Sequence, residues 1–160
     1  MTISKQLDGP RQEAQSGQAT SLVILVHGYG SNGADLISLA PLWSDMLPHT
    51  AFVSPNAPQI CPGAPGGYQW WDIAAAPRSD RAAGVRQAAP ILDAFIDQQL
   101  AHYGLSDDRL ALVGFSQGTM MSLHVAPRRA KTMAGVIGYS AHHEYNMFKL
   151  GGLRKSLPLA

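Results

Sequence analysis

The chain has 160 residues, 46% of them hydrophobic and only 14% charged, against a usual charged share of about 25%; this excludes a disordered or polyelectrolyte chain and leaves room for one domain around one core. Lys plus Arg number 12 and Asp plus Glu 11, a net charge of +1, too weak a field to gather a polyanion, so no nucleic acid is expected as a partner. The single Cys61 excludes an intrachain disulfide and any cysteine-built metal centre, and neither an apolar signal segment in residues 1–20 nor a run near the ~18 apolar residues of a membrane span is present, so a soluble, cytoplasmic protein is expected.

Leu22–Val26 is a continuous apolar run, the pattern of a strand buried on both faces. The turn-rich His27–Gly33 follows. Leu36, Leu39, Ala40, Trp43, Met46 and Leu47 then recur at helical spacing, with Pro41 interrupting. Ala51–Ser54 predicts a second strand, and Pro55–Arg81 a long loop carrying Tyr68, Trp70 and Trp71, of a length usually reserved for function. Val85, Ala88, Ala89, Leu92, Phe95, Ile96 and Leu100 predict a helix that Gly104 stops and that Pro90 kinks or delays. Arg109–Val113 predicts a third strand, Gln117 to about Arg129 a helix, and Met133–Tyr139 a fourth strand. Strands and helices alternating at this interval give βαβ units, hence an α/β fold with a mostly parallel sheet between helical layers.

Chemistry concentrates at Gly114-Phe115-Ser116-Gln117-Gly118, directly after a predicted strand and before a predicted helix. In that context G-x-S-x-G is a nucleophile elbow: small neighbours let the chain turn sharply, exposing Ser116 Oγ above the sheet with the helix N-terminus aimed at a developing oxyanion. The plain alternative is a βα turn with a serine N-cap. His27-Gly28-Tyr29-Gly30 ends the first strand at the same side of the sheet, so the backbone N–H groups of Tyr29 and Gln117 are candidate oxyanion donors. His27 itself reads better as a structural hydrogen-bonding residue than as a base, and Cys61 as a bystander.

VILVHGYGSNGADL, FVSPNAP, GYQWWD and ALVGFSQGTMMSLHVA together resemble the phospholipase/carboxylesterase group of α/β-hydrolases, which includes acyl-protein thioesterases. The resemblance covers roughly residues 20–140 and implies a three-layer α/β-hydrolase fold and a serine esterase acting, without a cofactor or metal, on small-molecule carboxylic esters or thioesters. It assigns Ser116 as nucleophile, Tyr29 and Gln117 as oxyanion donors, and Trp71 with the nearby Tyr68 to the border of the acyl pocket. Core or lid packing is the competing role for Tyr68, Trp70 and Trp71.

The pattern also requires an acid and then a histidine after the nucleophile. Glu144 is the only later carboxylate and no histidine follows it. His124 lies eight residues into the helix that starts at the elbow, about 12 Å along its axis and out of reach of Ser116, while the neighbouring His142 and His143 make a poor metal site. The expected organisation is an N-terminal segment 1–20, a partial hydrolase domain 21–140 lacking its C-terminal strands, and a divergent tail 141–160, through truncation or a shifted reading frame. Little activity is then expected, the alternative being a non-catalytic acyl- or ester-binding module or truncated pseudoenzyme; a nucleotide-binding domain lacks its glycine spacing and lysine. A strand 135–139 left at the sheet edge would favour self-association, a homodimer included.

Overall fold

A computed structural model of the chain describes residues 6–73 and 81–140. The apolar runs form the sheet: β2 (Ser21–Val26), β3 (Thr50–Val53), β6 (Leu110–Phe115) and β7 (Gly135–Tyr139) are parallel, with the short antiparallel β1 (Arg11–Gln12) outside β3, in the order β1-β3-β2-β6-β7. β4 (Gln59–Ile60) and β5 (Tyr68–Gln69) pair as a small ribbon within what sequence predicts as plain loop. This is the expected α/β architecture.

Alternation along the strands sorts the core. Leu22, Ile24, Val26, Ala51, Val53, Leu110 and Leu112 share one face and pack with Val85, Leu92, Phe95 and Ile96 of α3 (Arg81–Tyr103) and Met120, Met121 and Val125 of α4 (Gln117–Val125). Each such Val, Leu, Ile, Phe or Met side chain, fully buried, contributes about 1.5–3 kcal/mol. On the other face Trp43 of α2 (Ala40–Ser44) packs its ring 6.3 Å from Phe52. Phe115, Ile137 and Tyr139 lie together on that second face by register and remain half exposed, and β7 is the end strand among the described residues.

Two helix expectations need correction. The pattern from Leu36 to Leu47 forms two short helices, α1 (Gly33–Ile37) and α2, with Asn32 accepting from the Asp35 N–H as N-cap and Pro41 starting the second. Its apolar spacing does not make a buried face, for Met46 and Leu47 are exposed. Pro90, expected to kink or delay α3, sits inside one continuous helix of 23 residues. Its ring faces solvent, where water can satisfy the carbonyl that loses its partner. Gly104 ends α3 as expected, at φ +65, while the Leu105 N–H donates to Leu100 O at 2.9 Å.

Candidate active site

At the C-terminal end of β6 the chain turns through Ser116 at φ 52 and ψ −114, a region that costs an L-residue of order 1–3 kcal/mol. The surroundings hold it there. The Ser116 N–H donates to Tyr139 O at 2.9 Å, and Thr119 Oγ1 ties α4 to the same carbonyl at 2.8 Å. A Cβ on Gly118 would lie 1.8 Å from Val26 O, and one on Gly114 2.6 Å from the Gly118 carbonyl. Both glycines are therefore required by contact between α4 and the sheet. Ser116 remains half-buried at the N-terminus of α4, where the Gln117 amide belongs to the first helical turn and has no intrahelical acceptor.

The 27–31 loop lies against this turn, close enough that a Cβ on Gly28 would meet Ser116 Cβ at 3.2 Å. Its shape comes from hydrogen bonds on both sides: Ser31 N–H to Gly28 O at 3.2 Å, and Gly30 N–H to Tyr68 O at 2.9 Å. Gly30 takes φ +78, which glycine supplies without steric cost. His27 anchors the loop from beneath. The Ala57 N–H donates to its Nε2 at 2.9 Å, so Nδ1 carries the proton and donates to Gly28 O at 2.7 Å. Burial holds its pKa below the ordinary imidazole value, against the raising effects of Gly28 O and Asp35.

That depression has a definite sign. Below pH ~6.5 the unfolded chain takes up a proton that buried neutral His27 refuses, so stability falls as pH drops through this range, by at most about 1.4 kcal/mol per pH unit for one imidazole. His124, also lowered by burial first and then by Arg128 and Arg86, acts in the same direction. Melting temperatures between pH 8 and 5 should therefore decline, and His27→Gln should flatten the decline; an unchanged slope in that variant contradicts the assignment.

Tyr68 is half-buried and bridges to Ser31. Trp70 and Trp71 are core residues. The Trp70 indole N–H donates to His27 O at 3.0 Å, and the Trp71 ring lies on α3 where a Cβ at Gly84 would come within 2.4 Å of it. The Tyr29 phenol contacts the buried Cys61 thiol, and a hydrogen bond with that thiol raises its pKa. The side chain of Gln117 joins these loops to the elbow, a feature sequence reading misses because the position is a variable one in G-x-S-x-G and only its backbone has a motif role.

No described histidine is placed to serve Ser116. Both ring nitrogens of His27 are committed. His49 precedes β3 and His102 ends α3 ahead of β6, which puts both at the opposite end of a parallel sheet. His124 lies near the far end of α4, buried beside a cleft of about 280 Å³ lined also by Arg86, Pro90, Asp93 and Arg128. His142, His143 and Glu144 lie outside the described residues. Among the described residues no group of three His, Cys, Asp or Glu side chains is arranged to hold a metal, and no helix is long and apolar enough to cross a membrane.

A parallel sheet with a strained, glycine-flanked serine between strand and helix, faced by a glycine-rich loop from the neighbouring strand, defines an α/β-hydrolase. The chain belongs to the phospholipase/carboxylesterase family, which it matches over residues 8–148. It is similar to acyl-protein thioesterase 1 of Schizosaccharomyces pombe, 36% identical over 127 residues that cover 76% of this chain and 55% of that protein. The corresponding thioesterase of Emericella nidulans is 31% identical over 137 residues, covering 77% and 57%. The crystal structure of esterase PE8 superposes with a TM-score of 0.81 at 46% identity, covering 85% of this chain and 64% of that one. The chain thus spans little more than half the length of the curated relatives it matches.

Proposed function

We propose that this chain carries the nucleophile and oxyanion half of a serine hydrolase acting on carboxylic esters or thioesters. The observation that carries the reading is the backbone of Ser116, held at positive φ beneath the Gly28 loop. Ser116 Oγ attacks the acyl carbonyl carbon while its proton passes to a base, and the Tyr29 and Gln117 amides bind the resulting oxyanion. Collapse expels the alcohol or thiol, which takes the proton. Water then attacks the acyl-serine, losing a proton to the base, and the acid leaves as Ser116 Oγ takes that proton back. Trp71 and Tyr68 border the acyl group, Trp71 through its backbone and Tyr68 through its half-buried ring. The mechanism requires a base, a histidine oriented by an acid following the nucleophile, which the described residues do not supply, so the proposal is of impaired activity. A cytosolic location belongs to the same proposal and draws support from the one free thiol, Cys61.

A second reading, an acyl- or ester-binding module without turnover, is favoured by the lack of a described histidine within reach of Ser116. Hydrolysis of p-nitrophenyl butyrate by the chain and by Ser116→Ala separates the two. If Ser116 turns over, the expected result is a slow rate that the substitution lowers; the remnant due to the oxyanion hole and binding alone, ~10³–10⁴ over water, persists in both. Equal rates overturn turnover at Ser116 in this chain. Binding of a neutral ester with no fluorophosphonate labelling of Ser116 selects the binding module.

A further inference from the structure

The side chain of Gln117, one residue past the serine, is buried at 1% exposure and hydrogen-bonds at both ends to a loop 46 residues earlier in the chain. Its Oε1 accepts from the Trp70 N–H at 3.0 Å and its Nε2 donates to Trp71 O at 2.9 Å. The same loop reaches the oxyanion side through the Gly30 N–H on Tyr68 O at 2.9 Å and the Tyr68 N–H on Ser31 O at 2.7 Å. Gly67 permits that approach, since a Cβ there would lie 2.2 Å from Gly30 O. Residues 68–71 therefore hang between the elbow and the oxyanion loop.

We infer that the Gln117 carboxamide is a positioning group that locks the 68–71 wall onto the elbow and so sets the shape of the acyl site beside Ser116. The chemistry of the position is narrow. One neutral group has to supply a donor and an acceptor side by side, which at neutral pH the carboxamides of Gln and Asn do, and Asn is a methylene shorter. A carboxylate would face Trp71 O with no proton to give, and buried groups left unpaired are costly. A protonated carboxyl would restore both bonds, its O–H donating to Trp71 O and its carbonyl accepting from the Trp70 N–H. The clamp also fixes the residue whose backbone amide is the proposed oxyanion donor. This inference rests on the reading that the site takes an acyl group.

The test uses the full chain carrying Ser116→Ala, so that ligand is bound and not turned over, with methyl decanoate as a neutral probe read by tryptophan fluorescence. Adding Gln117→Met should weaken binding about tenfold, the equivalent of ~1.4 kcal/mol, and should speed hydrogen exchange of the Trp70 amide. Adding Gln117→Glu should do the same at pH 8 and return both readings to within about twofold of the parent as the introduced carboxyl protonates toward pH 5, each compared with the parent at that pH. Unchanged binding and exchange in Gln117→Met, or no recovery of Gln117→Glu on acidification, overturns the clamp. Unfolding of both variants at every pH also overturns it, because it would place Gln117 among the residues that hold the fold. A parent that does not bind methyl decanoate sinks the acyl-site reading instead, while Trp70 exchange still reports on the clamp.

Discussion

Gly118→Ala is expected to destabilise the protein by at least about 3 kcal/mol, at the upper end of what overpacking costs, and to leave little folded chain under conditions where the parent is folded. The added methyl would sit 1.8 Å from Val26 O and 2.8 Å from His27 O. These are backbone atoms of β2 and the residue after it, held by pairing with β3 and β6. No rotamer change relieves the overlap. α4 would have to lift from the sheet, giving up the packing of Met120, Met121 and Val125. Alanine's better helix propensity returns only ~1 kcal/mol. Gly28→Ala is the control: its nearest contacts are 3.1–3.2 Å, so a shift of a few tenths of an ångström accommodates it, and it should fold while moving the loop away from Ser116. Urea unfolding of both variants checks this, and a Gly118→Ala midpoint close to that of the parent refutes it.

The parts of this fold legible in the sequence are those where burial alone dictates residue type. β2, β3 and β6 announce themselves as apolar runs because a central parallel strand is covered on both faces, and α3 does so through the spacing from Val85 to Leu100; β7 shows a similar run although it is the end strand among the described residues and half exposed. β1 escapes because Arg11 and Gln12 need only pair with Val53 and Phe52 at an edge, a backbone interaction with no apolar signature. β4 and β5 escape for the same reason. The false apolar face from Leu36 to Leu47 arises because α1 and α2 cover one flank of the sheet with few residues, leaving Met46 and Leu47 exposed. At the site, Gly114 and Gly118 are legible because a close approach of backbone demands them, and Ser116 because the G-x-S-x-G motif carries it. The role of Gln117 is not, because its partners are the backbone N–H of Trp70 and carbonyl of Trp71, which any residue type would present. His27 falls between: its place at a strand end reads as structural, but its partner Ala57 carries no hint of the contact.

Arg129→Met is expected to cost about 3 kcal/mol, the low end for breaking a buried ion pair, although Arg129 belongs to none of the motifs. Its guanidinium, 9% exposed, reaches Asp93 at 2.5 Å and Asp97 at 2.7 Å on α3, and Asp107 at 2.5 Å in the turn before β6. Burial opposes its charge, but hydrogen bonds to Asp107, Asp97 and Asp93 more than offset this and raise its pKa above the usual arginine value. The arrangement ties the segment after α4 to the elements before and behind it, and so steadies the helix whose first turn carries Gln117. Asp107 dominates the cost because its side chain is only 10% exposed, whereas Asp93 and Asp97, at 47% and 66%, can turn to water once the cation is gone. Arg129→Lys should recover only part of the loss, since a single ammonium cannot present the planar fork that serves three acceptors at once. Because the guanidinium is buried, 0.5 M NaCl should leave the difference between Arg129→Met and the parent largely unchanged, unlike that of a surface pair. Denaturation midpoints at low and high salt decide it: a loss under about 1 kcal/mol, or one that salt abolishes, would demote this cluster to an ordinary surface network.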